Sequence, residues 1–207
     1  MFSGIVEEIG HIDAVDAEAG RIRVECDQVL RGSRRGDSIA VNGCCLTIAD
    51  YTSGGFIADV MPETIGRTTL GSLPARGAVN LEAALRFESR VGGHLLSGHI
   101  DGVGTVVGVV RDGNALRVTL SAPGQLLPLL VEKGCVAVDG ISLTVVGVEG
   151  DRFGVSLVPH TLEHSTSGEW ITGSHVNLEG DLVAKYVQRG LDAYVATARP
   201  VALAREA

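Results

Sequence analysis

Apolar and polar residues alternate over short runs at 5–12, 21–26, 38–41, 46–51, 56–60 and 79–83. Each run is rich in Val and Ile and is bounded by Gly, Asp or Ser, the mark of short strands between tight turns. Roughly six such strands per unit point to a small closed barrel or a sandwich, because both remove exposed strand edges. Short helices are predicted at 62–70 and 159–166, each opening on a proline that a first turn tolerates. The tail has a different period. Leu182, Val183, Tyr186, Val187, Leu191, Tyr194 and Val195 recur three or four residues apart and form one apolar stripe on a helix. Asp181 is its expected N-cap and Pro200 its expected stop. Gly190 should weaken it by about 1 kcal/mol. Such a helix either covers the end of its own barrel or packs against the same helix of another subunit, and the second reading is preferred.

The pattern repeats. Residues 41–47 read VNGCCLT and 138–144 read VDGISLT. Pro62, Glu63 and Thr64 are answered by Pro159, His160 and Thr161, and VNLE occurs at 79–82 and again at 176–179. These three matches lie 97 positions apart, while Phe2-Ser3-Gly4 and Leu96-Ser97-Gly98 lie 94 apart. Several segments in one order at nearly one offset mean an internal duplication. The expected division is 1–96 and 97–184 for the two copies, with 185–207 as helix and tail. The expected fold is all-β with a C-terminal helix.

Bulk properties narrow the function. The chain has 207 residues, 45% of them hydrophobic and 20% charged, as in an ordinary globular protein. The net charge of −8 leaves no basic stripe beyond a local cluster at Arg31, Arg34 and Arg35, so nucleic acid is not an expected partner. The longest aliphatic runs, such as 126–131, are too short to span a bilayer. The start, MFSGIVEE, lacks the basic segment and apolar core of a signal peptide, and a cytoplasmic location is expected. Cys26, Cys44 and Cys135 read as small buried hydrophobes, and the cysteine spacing matches no zinc pattern.

Candidate chemistry follows from strand alternation. In 42–48, Cys44, Leu46 and Ile48 share one face, and Cys45 and Thr47 share the other beside Gly43. In the second copy Ile141, Leu143 and Val145 share the apolar face, and Ser142 and Thr144 the polar one. Each repeat therefore offers two small hydrogen-bonding side chains next to a glycine that lets a ligand approach the backbone. The copies differ at matched positions: Cys45 against Ser142, Ile5 against His99, Glu63 against His160, Ala84 against Asp181. Two similar pockets with unlike polar groups suit one ligand type bound twice with different fates. His94 and His99 share the stretch GGHLLSGHI, five positions apart with no acidic or thiol pair nearby, which is a poor metal site. His11, His164 and His175 read as surface or loop residues, and Trp170 as a packing or surface aromatic. No glycine loop fits a dinucleotide or phosphate motif, and G-x-S-x-G is absent.

MFSGIVEE, NGCCLT, GGHLLSGHI, DGISLT, PHTLE and VNLEGDLVAKYV together resemble riboflavin synthase of the α-subunit type, from Met1 to about Leu191. The resemblance implies two similar six-stranded Greek-key β-barrels and a C-terminal helix that joins three subunits. It implies a cofactor-free, metal-free dismutation of two 6,7-dimethyl-8-ribityllumazine molecules per active site. One gives four carbons to the other, yielding riboflavin and 5-amino-6-ribitylamino-uracil. Association with lumazine synthase is a further implied partnership. The active site is then expected between the first barrel of one subunit and the second barrel of its neighbour. Phe2, Ser3, Cys45 and Thr47 are carried over to one side, and His99, Lys133, Ser142, Thr144 and Asp181 to the other. Ring contacts are expected from Gly4, Ile5, Val6 and Leu46, from Asp59, Val60, Met61, Pro62, Glu63 and Thr64, and from Gly98 and Ile100. The second copy adds Leu143, Val158, Pro159, His160, Thr161, Leu162 and Glu163.

Catalytic roles are expected for Cys45, His99, Ser142, Thr144 and Asp181. His99, Ser142 and Thr144 would serve the methyl proton of one substrate, and Cys45 and Asp181 would assist addition and release at the other. Ser3 departs from the Thr expected in many members but keeps the hydroxyl. The competing expectation is a non-catalytic lumazine- or flavin-binding fluorescent or antenna protein on the same scaffold. A flavin-carrying reductase barrel is a weaker rival, because the chain has no room for a nicotinamide domain.

Overall fold

The computed structural model describes residues 1–197. The expected stop at Pro200 and the tail 198–207 lie outside the described residues. The first copy forms β1 (Glu8–Asp16), β2 (Arg21–Glu25), β3 (Ser38–Val41), β4 (Cys44–Thr52), β5 (Gly55–Asp59), α1 (Pro62–Arg67) and β6 (Ala78–Ala83). The second forms β7 (Gly102–Asp112), β8 (Ala115–Ser121), β9 (Cys135–Val138), β10 (Ile141–Glu149), β11 (Arg152–Leu157), α2 (Pro159–Glu163) and β12 (His175–Gly180), and α3 (Leu182–Thr197) follows.

Each copy closes into a six-stranded antiparallel barrel, in the order β1-β2-β5-β4-β3-β6 and its counterpart β7-β8-β11-β10-β9-β12. β3, β4 and β5 meander while β6 returns to lie beside β3, which is a Greek key. The registers slip between Ile12 and Ala14 and between Ile48 and Asp50, and again at the matching Val106/Gly108 and Val145/Gly147. Bulges raise local twist, and four at matched places bend both sheets toward closure. The alternation read from sequence holds: Cys44, Leu46 and Ile48 are buried in the first core, and Ile141, Leu143 and Val145 in the second. Phe56 and its counterpart Phe153 fill the two centres. Truncating either to Ala should cost about 3–5 kcal/mol.

Three predicted boundaries move, for physical reasons. β1 begins at Glu8 rather than at 5, because the preceding residues leave their own barrel for the other one. Gly4 is left-handed at φ +76°, and its carbonyl accepts the Ser142 N–H at 2.8 Å. Val6 packs on the second core and, reciprocally, Ile100 packs on the first. The helices predicted at 62–70 and 159–166 each break in two. Thr68 and Ser165 are extended, at ψ 168°, and their hydroxyls cap the short 3-10 turns Thr69–Ser72 and Thr166–Glu169.

The seam between barrels is built by the repeated VNLE. Asn80 Nδ2 donates to the Asp139 carbonyl and Asn177 Nδ2 to the Asn42 carbonyl, each at 2.9 Å. Their Oδ1 atoms accept the Thr166 and Thr69 N–H groups at 2.7 and 2.8 Å. Phe2, Ala40, Leu96 and Ala137 form an apolar cluster beside this seam. Trp170 is buried in the second core rather than on the surface.

Asp181 caps α3, accepting the Val183 N–H at 2.8 Å. Lys185 pairs with Asp101 at 2.7 Å and ties the helix base to the barrel. Tyr186, Leu191 and Tyr194 on the predicted stripe remain more than half exposed, at 74%, 54% and 70%. The stripe therefore does not cover its own barrel. No helix among the described residues is long and apolar enough to cross a membrane.

Candidate active site

The polar pairs stand on the outer faces of the barrels. Cys45 and Thr47 turn out of β4, and Ser142 and Thr144 out of β10. Antiparallel register sets Ala40 opposite Cys45 and Ser38 opposite Thr47, with Glu82 next to Ala40. The second barrel repeats this with Ala137 opposite Ser142, Cys135 opposite Thr144 and Glu179 next to Ala137.

Each face is roofed by a segment from the other copy. The Gly98 carbonyl accepts the Cys45 N–H at 2.8 Å, as the Gly4 carbonyl accepts that of Ser142. Gly98 is left-handed at φ +80°, and a Cβ there would stand 2.5 Å from Cys45 Cβ. Glycine is needed for this approach. The buried Glu82 carboxylate holds the first segment, accepting from Ser3 N, Ser3 Oγ and Gly4 N at 2.6, 2.7 and 3.0 Å. Burial raises the Glu82 pKa, and the Ser3 and Gly4 donors oppose that rise. Glu179 holds Ser97 and Gly98 in the same way, at 2.6–3.1 Å.

Two cavities result. One, of about 290 Å³, is lined by Cys45, Glu63, Thr64, Arg67, Gly98 and His99. The other, of about 90 Å³, is lined by Gly4, Ile5, Val6, Ser142, His160 and His164, among others. Within one chain His99 therefore stands with Cys45 rather than opposite it as expected, because the segment after Ser97 crosses to roof the first barrel, and Ile5 stands with Ser142. At the first mouth Glu63 pairs with Arg67 at 2.5 Å, while at the second His160 and His164 stack with centroids 4.2 Å apart. His164 is thus a mouth residue, although exposed as the sequence suggested.

The remaining expected residues divide by environment. Asp59, Met61, Pro62, Lys133, Thr144, Val158, Pro159 and Glu163 are exposed, and Thr161 is half-buried. Leu46, Val60 and Leu143 point into the cores, and Leu162 leans on the second core, so their side chains are not presented on the outer faces. Phe2 is buried at the seam and Ser3 is tied to Glu82. Asp181 lies near enough to raise the pKa of Cys135, behind burial as the larger cause. Sequence reasoning missed His94. It is buried, its Nδ1 lies 2.6 Å from Ser142 Oγ, and burial lowers its pKa against the opposing field of Asp181. Among the described residues no cluster of three or more His, Cys, Asp or Glu has the arrangement of a metal site.

The lumazine binding domain family matches the chain twice, at residues 3–84 and 97–181, which are the two barrels. Riboflavin synthase of Mycobacterium tuberculosis is 45% identical over 195 residues, covering 91% of this chain and 97% of that protein. The riboflavin synthases of Actinobacillus pleuropneumoniae and Bacillus subtilis are each 42% identical over 193 residues, covering 92% of this chain and 90% of theirs. The chain belongs to the riboflavin synthase family. Among solved structures it is similar to LumP complexed with riboflavin, with TM-score 0.80 and 26% identity over 87% of this chain and 99% of that one. LumP complexed with 6,7-dimethyl-8-(1'-D-ribityl) lumazine gives TM-score 0.78 at 26% identity, over 86% and 98%. The family explains why two outer faces carry the same polar geometry.

Proposed function

We propose that the chain acts as a riboflavin synthase, converting two 6,7-dimethyl-8-ribityllumazine molecules to riboflavin and 5-amino-6-ribitylamino-uracil. The observation that carries this reading is the pair of roofed outer faces, Cys45/Thr47 under Gly98 and Ser142/Thr144 under Gly4. Identities of 42–45% to curated riboflavin synthases over nine-tenths of the chain support the same activity. LumP, at 26% identity, gives the fold neighbour for a reading of ligand binding without turnover.

Neither cavity is large enough in one chain to bury two ring systems, since ligand sites usually exceed about 300 Å³. The first face of one subunit opposite the second face of its neighbour would complete the site. That arrangement brings His99 and Cys45 of one subunit to Ser142, Thr144, Lys133 and Asp181 of the next. The exposed stripe of α3 supports a homotrimer built on this helix. Functional units 1–96 and 97–184, a cytoplasmic location and docking to lumazine synthase complete the proposal.

The 7-methyl group of the lumazine is acidic because its carbanion delocalises into the ring. The protein must hold two rings close and move protons. Proximity lowers such a barrier by about 7–11 kcal/mol. Acid–base assistance adds about 10²–10⁴-fold. His99, Ser142 and Thr144 are assigned to the methyl proton, and Cys45 and Asp181 to addition and release at the second ring. The test is incubation of the purified protein with the lumazine alone. One riboflavin should appear, by absorbance, for every two lumazines consumed. Tight binding without riboflavin would replace this reading with the binding-protein one. Full turnover by both Cys45→Ser and His99→Gln would overturn the residue assignment.

A further inference from the structure

The outer face of the first barrel does not end at Thr47. Ser38 stands opposite Thr47, and its carbonyl accepts the Ala84 N–H at 3.1 Å. Ser38 lies two residues along β3 from Ala40, the partner of Cys45, which is about 7 Å at strand spacing. Past Ser38 opens a cavity of about 360 Å³, lined by Ser33, Arg34, Asp37, Ser38, Leu85 and Arg86, among others. Arg86 Nη2 donates to the Gly32 carbonyl at 3.0 Å and closes one wall.

The charges here are unlike those around them. Arg31 and Arg35, on either side, pair with Asp27 and Asp50, whereas Arg34 and Arg86 pair with no carboxylate among the described residues. The Asp37 carboxylate is engaged by the Arg34 backbone N–H at 2.9 Å. Glu7 feels the charge of Arg86 without pairing to it. The second barrel lacks this device. Its matching turn has the same geometry, Asp37 N to Arg34 O at 3.0 Å against Gly134 N to Val131 O at 2.8 Å. Yet Val131 replaces Arg34, and the same offset of 97 puts Val183 in place of Arg86.

We infer that this cavity receives the ribityl tail of a ring ligand held at Cys45 and carries a subsite for a terminal phosphate between Arg34 and Arg86. The first barrel thereby prefers a ribityl-phosphate flavin to the unphosphorylated one. The inference rests on the ring position given under Proposed function. A five-carbon polyol chain covers the distance from Cys45 to Ser38, Ser38 offers a hydroxyl along it, Ser33 Oγ, which already donates to the Val29 carbonyl at 3.2 Å, offers an acceptor, and the arginines meet the phosphate at its end. Charge-assisted hydrogen bonds from guanidinium suit phosphate oxygens. The consequence is that a phosphorylated flavin competes with substrate at one barrel and not at the other.

The test is titration of the whole protein with flavin mononucleotide and with riboflavin, followed by flavin fluorescence. In the wild type, flavin mononucleotide should bind its strongest site about tenfold tighter than riboflavin, with the advantage shrinking as salt rises. Arg34→Val with Arg86→Val installs the second barrel's residues at these two positions and leaves Asp37, which Gly134 matches, in place. It should bring the ratio to about one while riboflavin affinity stays within about twofold. Arg34→Gln alone should give an intermediate ratio, and melting temperatures identify any variant that has lost its fold. A wild-type ratio at or below one, or an equal loss of both ligands in the folded double variant, overturns the inference. Failure of riboflavin itself to bind the wild type would instead overturn the ring position.

Discussion

His94 Nδ1 lies 2.6 Å from Ser142 Oγ, and His94 Nε2 is buried without a partner among the described residues. Burial holds this imidazole neutral, below the usual histidine range. The unfolded chain takes up a proton below pH of about 6.5 while the folded one resists it. Stability from this group is therefore present above that pH and lost as pH falls through the window beneath it. Melting temperatures measured from pH 5 to 8 should show His94→Gln losing less stability on acidification than the wild type. An unchanged difference between the two curves would mean that His94 takes up its proton at the same pH in the folded and unfolded chains.

Asp139 should give the opposite slope. It is fully buried and accepts the Asn177 N–H at 2.7 Å, and Trp170 lies near enough to oppose the effect of burial on its pKa. Burial pushes its pKa up to about 7. Between about pH 4 and 7 the folded state holds a proton that the unfolded state releases, so stability falls as pH rises across that range. The whole effect is on the order of 4 kcal/mol. The matched position in the first copy is Asn42, whose Oδ1 accepts the Asn80 N–H at 2.7 Å. Asp139→Asn should retain that hydrogen bond and flatten the slope, as read by urea denaturation at pH 5 and pH 8.

Removal of the Glu82 carboxylate strands three donors, Ser3 N, Ser3 Oγ and Gly4 N. Each unsatisfied buried donor costs about 1–3 kcal/mol. Glu82→Ala should therefore destabilise by about 3 kcal/mol or more and loosen the roof over Ser142. Glu82→Gln keeps one acceptor oxygen and should cost less. Chemical denaturation orders the two variants, and amide exchange at Gly4 reports the roof.

Gly98→Ala sets a Cβ against Cys45 at a left-handed φ of +80°. Strain and overpacking together should cost about 2–4 kcal/mol and weaken lumazine binding. Gly113→Ala is the control, since φ is +60° but nothing lies within 4 Å of the added carbon. It should cost about 1 kcal/mol and leave binding unchanged. Equal effects at the two positions would remove the contact with Cys45 as the cause.

The barrels were legible because each strand faces a wet outside and a dry inside, so the period-2 pattern records the fold directly. The inward Leu46 and outward Cys45 follow from spacing alone. The exchange of roofs was not legible. Nothing in FSGIVEE says that Gly4 serves Ser142 rather than Cys45, because the choice depends on where the chain crosses between barrels. The role of His94 is not legible either, because its partner Ser142 is 48 positions away. VNLE was legible as a repeat and illegible as a seam, since Asn80 and Asn177 bond across copies through contacts that no local pattern encodes.

Contacts that occur twice, with Gly4 on Ser142 and Gly98 on Cys45, and with the Gly43 and Gly140 backbones meeting between them, have the form of an isologous pairing about a twofold axis. In a pair of separate identical chains every substitution appears on both sides of the axis. Covalent linkage of the copies lifts that restriction. Cys45 can differ from Ser142, His99 from Ile5 and Arg34 from Val131 without either change being mirrored. Fusion is thus what lets a symmetric scaffold treat two identical molecules unequally.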